Sequence, residues 1–337
     1  MLGDRLRALR LARGLTQVQL AELADVSRQL VGAVEADRHL PRVDAAVRLA
    51  GALSTTVEEL LAPATREVIG ALEDPAEGAL VRVGRVGEQL VCVPAAGSGE
   101  GWAGADAQVR GGAVELFDVE RPAALVAGCD PIIGLASRLL EATSGPRVVP
   151  VATSSASAVA ALTAGRIHAA MVHGPDGHLP DPPGAVRRWH VARWQVGLAA
   201  PVHLATGWVE DALAGRIPVV QREAGAGSQA AFERARTPID GAGGTVAGPQ
   251  VDGHAAAAWR AATDGLVAVT IEPAARANGL TFHPLELHVS QLWVDPDHGD
   301  NALLHAFLDE LTGERAHRRL VAIGGYDLAG SGTELAA

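Results

Sequence analysis

From Ala123 onward, short apolar runs alternate with alanine-rich stretches of helical spacing. The apolar runs have the length and bounding turn residues of buried strands. Predicted strands occupy 123–128, 148–152, 167–174, 196–199, 217–223 and 266–271. Predicted helices occupy 132–143, 156–164 and 254–263, and two more begin at 229 and 272. Strands that alternate with helices predict an α/β sheet with mostly parallel pairing.

Three of the predicted strand-to-helix junctions carry small residues or hydrogen-bond donors. They are Gly128-Cys129-Asp130, Thr153-Ser154-Ser155 and Gly225-Ala226-Gly227-Ser228. Ligands of such sheets bind at the carboxyl ends of strands, where helix N-termini expose backbone N–H groups. A serine at a helix start is as often a simple cap. The predicted site for an anion or polar small molecule therefore depends on the convergence of all three junctions.

Three further polar residues lie at the ends of these elements. His173 and His254 lie at a strand end and a helix start, and Arg222 lies at the end of an apolar strand, where it could meet a carboxylate or oxyanion. A lone histidine such as His173 is more often structural. The segment 173–184 contains two histidines, but its prolines and lack of helical spacing favour a loop over a metal site.

The C-terminal part resembles the periplasmic-binding-protein-like domain, type II, of the kind attached to some molybdopterin-biosynthesis proteins. The resemblance covers 123–325 and rests on AGCDP, AALTAGRIHAAMVHG, VVQREAGAGSQ and HAAAAWRAATDGLVAVTIEPAARANGLTFHPL. It implies a two-lobed cleft for an oxyanion such as molybdate or tungstate, or for a related cofactor precursor. The residues that it places in the cleft are Cys129, Asp130, Ser154, Ser155, His173, Arg222, Gly227, Ser228 and His254. Cys129 stands where the family commonly has a polar residue, which points to a changed ligand.

The first sixty residues have apolar positions at helical spacing, interrupted by short turns. Gly14 ends a first helix, and Thr16 with Gln19 predicts a capping box for a helix over Gln17–Leu23. Ser27 caps a third helix that ends near Glu35, in which Val31 and Val34 are expected to pack on Leu20 and Leu23. A fourth helix is predicted over 43–53, and a fifth ends near residue 61.

This five-helix unit resembles the Xre (lambda-repressor-like) family of helix-turn-helix domains. In that family the second of two crossed helices enters the DNA major groove. The resemblance implies that Ser27, Arg28 and Gln29 begin the recognition helix and that Gln17 begins the helix crossing the backbone. Base readout is expected either to be concentrated in Arg28 and Gln29 or to be aided by Arg38 and Arg42 on the DNA backbone. Arginine reads guanine and glutamine reads adenine through paired hydrogen bonds. Asp37 stands where the family commonly has glycine.

The charge of this head bears on how it would bind DNA. Residues 1–62 contain eight arginines and eight acidic residues, so the head is neutral. Because phosphate neutralisation supplies much of the affinity for DNA, one such head would bind weakly. We therefore expect a homodimer on two half-sites of double-stranded operator DNA. A bundle that contacts only proteins is the alternative.

Composition narrows the class of protein further. The net charge of −11 argues against a general nucleic-acid-coating protein. Two cysteines, Cys92 and Cys129, are too few for a disulfide framework or a structural zinc site. No apolar run has the length of a membrane span, and residues 1–14 lack the apolar segment of a signal peptide. We expect a soluble, cytoplasmic bacterial protein.

These features predict a multidomain chain. Residues 1–63 form an all-α head, 64–122 a linker and small β-rich segment with a hairpin around Gly87, 123–325 an α/β ligand-binding domain and 326–337 a tail. The predicted function is a ligand-responsive transcriptional regulator that is not an enzyme, with no catalytic residues, no cofactor and no metal ligands. Two alternatives remain: a molybdenum-cofactor-related enzyme with a DNA-binding head, and a DNA-binding protein whose C-terminal domain is only a dimerisation scaffold.

Overall fold

The computed structural model describes residues 2–57, 60, 67–95, 101–118, 123–144, 147–182, 184–223, 225–240, 246–299 and 301–335. Contacts divide the chain into two compact units. The first contains residues 1–67 and 109–115, and the second contains 68–108 and 116–337. No helix among the described residues is both long and apolar enough to cross a membrane.

The first unit is a bundle of short helices. They are α1 (Leu2–Ala12), α2 (Gln17–Leu23), α3 (Arg28–Glu35) and α4 (Val43–Ala52). The predicted caps are confirmed: Thr16 and Gln19 form a capping box, and the Ser27 hydroxyl accepts a hydrogen bond from the Leu30 N–H at 3.1 Å. Of the predicted fifth helix, residues 58, 59 and 61 lie outside the described residues.

The core of the first unit is made of leucine, valine and alanine from all four helices. Leu6, Leu20, Val31, Val34 and Leu49 are fully buried. The prediction for Leu23 is wrong, because this side chain is 62% exposed. Ala24, four residues after Leu20 and therefore on the same face, occupies the inward position. Asp37 has φ +50°, which explains why glycine suits this position in related sequences.

A small sheet follows these helices in the chain. Its strands run in the order β1 (Ile69–Gly70), β3 (Gln89–Pro94), β2 (Leu80–Val86) and β4 (Ala107–Arg110), and β5 (Ala113–Leu116) follows in the chain. The predicted hairpin is confirmed, with Gly87 at φ +56° in its turn. Within the predicted linker and β-rich segment, β4 was not predicted: it pairs with β2, and its buried Ala107 and Val109 alternate with more exposed residues.

The main sheet of the second unit has the order β11-β10-β12-β9-β13-β8-β6-β7. Its strands are β6 (Ala123–Gly128), β7 (Arg147–Ala152), β8 (Ala169–Pro175), β9 (Arg187–Ala200), β10 (Val219–Arg222), β11 (Gln250–Val251), β12 (Val267–Ile271) and β13 (Thr281–Val294). The short β14 (Tyr326–Asp327) and β15 (Glu334–Leu335) pair with β9. The helices are α5 (Ile132–Ser144), α6 (Ser155–Thr163), α7 (Trp208–Leu213), α8 (Gly227–Asp240), α9 (His254–Asp264), α10 (Glu272–Ala277), α11 (Ala302–Leu311) and α12 (Glu314–Ile323).

The sheet departs from the expected parallel pairing at its centre. The outer pairs β6–β7, β6–β8 and β10–β12 are parallel, as predicted. The long strands β9 and β13 are antiparallel to each other, and β13 also runs antiparallel to β8. These two strands therefore join two parallel α/β groups into one sheet.

Candidate functional site

A cluster of buried sulfur and nitrogen donors lies at the centre of the main sheet. Cys129, directly after β6, has its Sγ 3.0 Å from Nε2 of His173 on β8. The same sulfur lies 3.5 Å from Nε2 of His254, the first residue of α9. All three residues are buried, although their positions span 125 residues of sequence.

Hydrogen-bond partners at the two ends of the cluster fix its proton positions. The Arg222 guanidinium can only donate, and its Nη1 lies 2.6 Å from Nδ1 of His254. The Glu286 carboxylate accepts from Nε2 of His288 at 2.8 Å. Nδ1 of His288 lies 3.0 Å from Nδ1 of His173 and must therefore accept.

One direction of donation satisfies all these contacts. The His254 Nε2–H donates to Cys129, the Cys129 thiol to Nε2 of His173, and the Nδ1–H of His173 to His288. Cys129 is thus a thiol, and the histidines are neutral with assigned tautomers.

The environment favours these neutral forms. Burial raises the pKa of Cys129 to about 12, and the nearby charge of Arg222 opposes this only in part. Burial lowers the pKa of His173 and of His254 well below the usual range, and positive Arg222 acts in the same direction. Burial also lowers the pKa of His288, although Glu286 counteracts it.

Arg222, the last residue of β10, is fully buried and already well satisfied. Its Nε and Nη2 donate to the two carboxylate oxygens of Glu223 at 2.9 and 2.8 Å. Its Nη1 donates to Ser228 Oγ at 3.3 Å as well as to His254. Four of the five N–H donors of a guanidinium therefore have partners within the protein.

Asp130 and Trp194 form one wall of the cluster. The Asp130 carboxylate accepts from Trp194 Nε1 at 3.0 Å and from the Tyr326 hydroxyl at 2.9 Å. Burial raises the pKa of Asp130, and these hydrogen bonds oppose the shift. The Trp194 ring centroid lies 4.7 Å from that of His173 and 5.6 Å from that of His254.

The structure brings most of the sequence-predicted residues to this place. Cys129, Asp130 and His254 line an open cleft of about 330 Å³. The Ser155 hydroxyl accepts a hydrogen bond from the backbone N–H of His173 at 3.0 Å. A Cβ on Gly227 would lie 3.5 Å from Cε1 of the His173 ring. Ser154 is buried, but its hydroxyl caps α6 by accepting the Ser157 N–H.

Sequence reasoning missed several members of the cluster. Glu286 and His288 lie two residues apart on β13 and therefore share a face. A polar pair at this spacing within a buried strand is the signal that could have revealed them, but no strand was predicted there. Trp194, Tyr326 and Glu223 carry no comparable sequence signal.

The predicted DNA-reading residues lie on the surface of the first unit. Ser27, Arg28, Gln29 and Arg38 are exposed, with Arg28 as the first residue of α3. Gln17 is half-buried, and its side-chain amide donates to Glu35 at 2.8 Å. The structure thus gives Ser27 a capping contact and Gln17 an internal partner.

Comparison with known proteins identifies both units. Residues 6–60 match the family described as helix-turn-helix. The chain is 41% identical over 63 residues to the immunity repressor protein of Bacillus phage phi105, a match covering 19% of this chain and 44% of the relative. The chain thus spans less than half the length of that relative.

Two solved structures are similar to separate parts of the chain. The restriction-modification controller protein C.AhdI from Aeromonas hydrophila is 40% identical, with a TM-score of 0.18, over 18% of this chain and 91% of that one. An ABC-type phosphate transport receptor from Vibrio cholerae is 14% identical, with a TM-score of 0.42, over 60% of this chain and 99% of that one. The family described as PBP superfamily domain matches residues 136–312, which are 177 of the 337 residues. The chain therefore belongs to the PBP superfamily domain family and carries an Xre-like helix-turn-helix domain at its N-terminus.

Proposed function

We propose that the protein is a ligand-responsive transcriptional regulator that acts in the cytoplasm, where bacterial operator DNA lies. Its helix-turn-helix domain binds the operator as a homodimer, and its PBP-like domain binds a small effector. The observation that carries the proposal is the convergence of the three strand-to-helix junctions on one buried polar cluster. Cys129 contacts both histidines, Ser155 accepts the backbone N–H of His173, and Ser228 accepts from Arg222. Cys129, Asp130 and His254 also line the open cleft. A cleft lined by buried polar groups favours ligand binding over a scaffold role.

The effector must bind one conformation of the regulator better than another, because only differential affinity shifts an equilibrium. An oxyanion such as molybdate or tungstate is the candidate suggested by sequence resemblance. Arg222 would have to exchange a hydrogen bond to Glu223, Ser228 or His254 for one to the anion.

Thermal unfolding with a panel of ligands tests this proposal. All six tryptophans lie between 102 and 293, so their fluorescence follows the second unit alone. An effector at a hundred times its Kd stabilises the domain that binds it by about 2.7 kcal/mol. We expect one class among molybdate, tungstate, phosphate, small carboxylates and metal cations to raise the melting temperature and to change operator affinity. If no ligand does either, the C-terminal domain is a scaffold and the proposal fails.

An enzyme is the second candidate, and one observation favours it: Cys129 and His173 are spaced like a nucleophile and its base. Burial keeps Cys129 a thiol and His173 neutral, however, which opposes the ion pair that activates such cysteines. Alkylation of Cys129 by iodoacetamide faster than that of an unfolded peptide thiol would favour the enzyme.

A further inference from the structure

We propose that Cys129, His173 and His254 form a binding site for a thiophilic d¹⁰ cation, Zn²⁺ or Cu⁺. One donor atom from each residue lies within 4.8 Å of the other two, and all three residues are buried. A ligand set of one thiolate and two imidazoles binds these cations in preference to hard cations such as Mg²⁺. Metal binding itself does not depend on the proposed function. Only the effect of the metal on operator binding rests on that function.

The sulfur–nitrogen distances are close to those of a tetrahedral zinc site. Zinc bonds of about 2.3 Å to sulfur and about 2.0–2.1 Å to nitrogen place S and N about 3.5 Å apart in a tetrahedron. The Cys129–His254 separation is 3.5 Å, and the Cys129–His173 separation is 3.0 Å. The Cys129–His173 separation must therefore lengthen by about half an ångström, which a small rotation of the thiol side chain achieves.

The surroundings of His173 are those of a metal ligand. Its Nδ1–H donates to His288, which donates in turn to Glu286, so the Nε2 lone pair of His173 points at Cys129. Metal-bound histidines characteristically donate their second N–H to such a partner, which fixes the ring and raises its basicity. This relay is built entirely from buried or half-buried side chains.

His254 is the ligand that must rearrange. Its Nε2 carries the proton because Arg222 donates to Nδ1. On metal binding, that proton moves from Nε2 to Nδ1, and the metal binds the Nε2 lone pair. Arg222 then loses its hydrogen bond to Nδ1 but keeps those to Glu223 and Ser228. The Cys129 thiol loses its proton to solvent as the S–metal bond forms, so one proton is released for each cation bound.

The cleft supplies an entry path and an open coordination position. Cys129 and His254 both line it, so a cation reaches the sulfur from solvent without crossing the core. Three protein ligands leave one position of a tetrahedral cation free. Because Cys129 and His254 line the cleft, we expect that position to face it and to be filled by water or an anion.

Titration of the full-length protein with Co²⁺, as a spectroscopic substitute for Zn²⁺, tests the site. We expect a stoichiometric thiolate-to-cobalt charge-transfer band that Zn²⁺ abolishes, together with partial quenching of tryptophan fluorescence, because Trp194 lies beside His173. Cys129→Ser should eliminate the band, whereas Cys92→Ser, which removes the other buried cysteine, should keep it. No band in the wild-type protein, or an equal band in Cys129→Ser, would overturn the proposal.

A second variant avoids reliance on Cys129. His288→Gln removes the partner of His173 without removing a ligand, and should weaken Zn²⁺ binding by about 10–100-fold in competition with a chromogenic chelator. Unchanged affinity in a folded variant would contradict the relay to Glu286. Parallel titrations with Cu⁺ under reducing conditions show which of the two cations binds more tightly.

Operator binding separates this proposal from the proposed function. Metal binding that leaves operator affinity unchanged would retain the site and refute metal-dependent regulation. An oxyanion that changes operator affinity, in a protein that gives no cobalt band and binds neither Zn²⁺ nor Cu⁺, would retain the regulator and refute the metal site.

Discussion

At the residue scale, Arg222 is the side chain on which two effector chemistries make opposite demands. An oxyanion requires its positive charge, whereas a cation at Cys129 is repelled by it and also needs the His254 lone pair that it occupies. Glu223 balances the charge through two hydrogen bonds, which lowers the cost of a nearby cation. The same buried guanidinium therefore separates the two hypotheses.

Arg222→Gln is predicted to change the two affinities in opposite directions. Removing a like charge near the metal should strengthen Zn²⁺ binding on the order of tenfold. In the same variant, Nδ1 of His254 is free to carry the proton that leaves Nε2. Oxyanion-dependent stabilisation should disappear in the same variant. Arg216→Gln, which alters an exposed pair with Asp211 in the same unit, is the matched control and should change neither. Loss of both affinities in a folded Arg222→Gln protein would show that Arg222 only maintains the site.

Arg28 and Gln29 are predicted to read bases. Either Arg28→Ala or Gln29→Ala should weaken binding to the specific operator by about 1–3 kcal/mol, measured by fluorescence anisotropy at fixed salt. Both side chains are exposed, so far-ultraviolet circular dichroism should show an unchanged fold. Arg13→Ala removes an equal charge from an exposed arginine that contacts Ser54, and serves as the control. Equal losses on operator and on random DNA would remove these residues from base readout.

Residue type and spacing predicted which strand-to-helix junctions hold the candidate site, but not which side chains contact each other there. Cys129 and His173 were each singled out, yet nothing in a separation of 44 residues indicates a 3.0 Å contact. That contact depends on β6 and β8 being neighbours, which is a property of strand order. Glu286 and His288 were missed for the same reason, since they belong to a central strand that sequence patterning did not reveal.

At the scale of elements, a buried ion pair ties α1 to α3 in the head. Arg10 on α1 donates to both carboxylate oxygens of Glu35 on α3, at 2.6 and 3.1 Å. Gln17, at the start of α2, donates to the same carboxylate. Burial alone would raise the pKa of Glu35, but the hydrogen bonds from Arg10 and Gln17 outweigh it and hold that pKa below the usual value.

This ion pair predicts the acid sensitivity of the head. Since the pKa of Glu35 is lower in the folded state, its contribution is complete above the unfolded value of about 4.3 and is lost as pH falls through the folded pKa. Glu35→Gln should cost about 1.5–3 kcal/mol at pH 7, and the difference from wild type should shrink on acidification. Because residues 1–62 contain no tryptophan, unfolding of the head is the circular dichroism transition that tryptophan fluorescence does not follow. A constant difference across pH would contradict this role, and Asp44→Asn at an exposed pair should have little effect.

The small sheet is attached to the main sheet by a second ion pair. Arg147, the first residue of β7, contacts both carboxylate oxygens of Asp106 at 2.6 Å, and Asp106 also accepts the Val83 N–H of β2. The hydrophobic core continues across the same junction, where Val91 and Val93 join Leu125 and Val149. These contacts make β1, β2 and β3 part of the second unit.

Asp106→Asn is predicted to destabilise the second unit by about 3–5 kcal/mol, because it leaves the buried Arg147 charge without its carboxylate. Denaturant unfolding followed by tryptophan fluorescence measures this change. Asp211→Asn breaks an exposed pair with Arg216 and should cost at most about 1 kcal/mol. Similar small losses in both variants would mean that water already screens Arg147.

Local patterning predicted the elements that make their contacts nearby in sequence. The capping box at Thr16, the hairpin at Gly87 and the helices next to parallel strands all follow from short-range signals. The strand β4 and the long strands β9 and β13 were missed or shortened, because their pairing partners lie far away in sequence. Tertiary pairing, rather than local propensity, determines such strands.

At the scale of the whole molecule, charge is distributed unevenly along the chain. Residues 1–62 are neutral, so the net charge of −11 belongs entirely to residues 63–337. The acidic part repels DNA, and a neutral head gains little from phosphate contacts. Two heads that bind together raise the affinity without additional positive charge, because the second contact becomes intramolecular.

This distribution predicts a dimer whose operator has two half-sites about 10 base pairs apart, or a multiple of that spacing. Light scattering should give twice the mass of one chain, and a bound operator should contain two chains. Inserting about half a helical turn between the half-sites should lower affinity to that of a single half-site, while a full-turn insertion should restore part of it. A monomer that binds one half-site as tightly as two would contradict the proposed dimer. If the effector acts through the spacing of the heads, its addition should change affinity for the intact operator but not for the isolated half-site, and this comparison identifies dimer geometry as the regulated property.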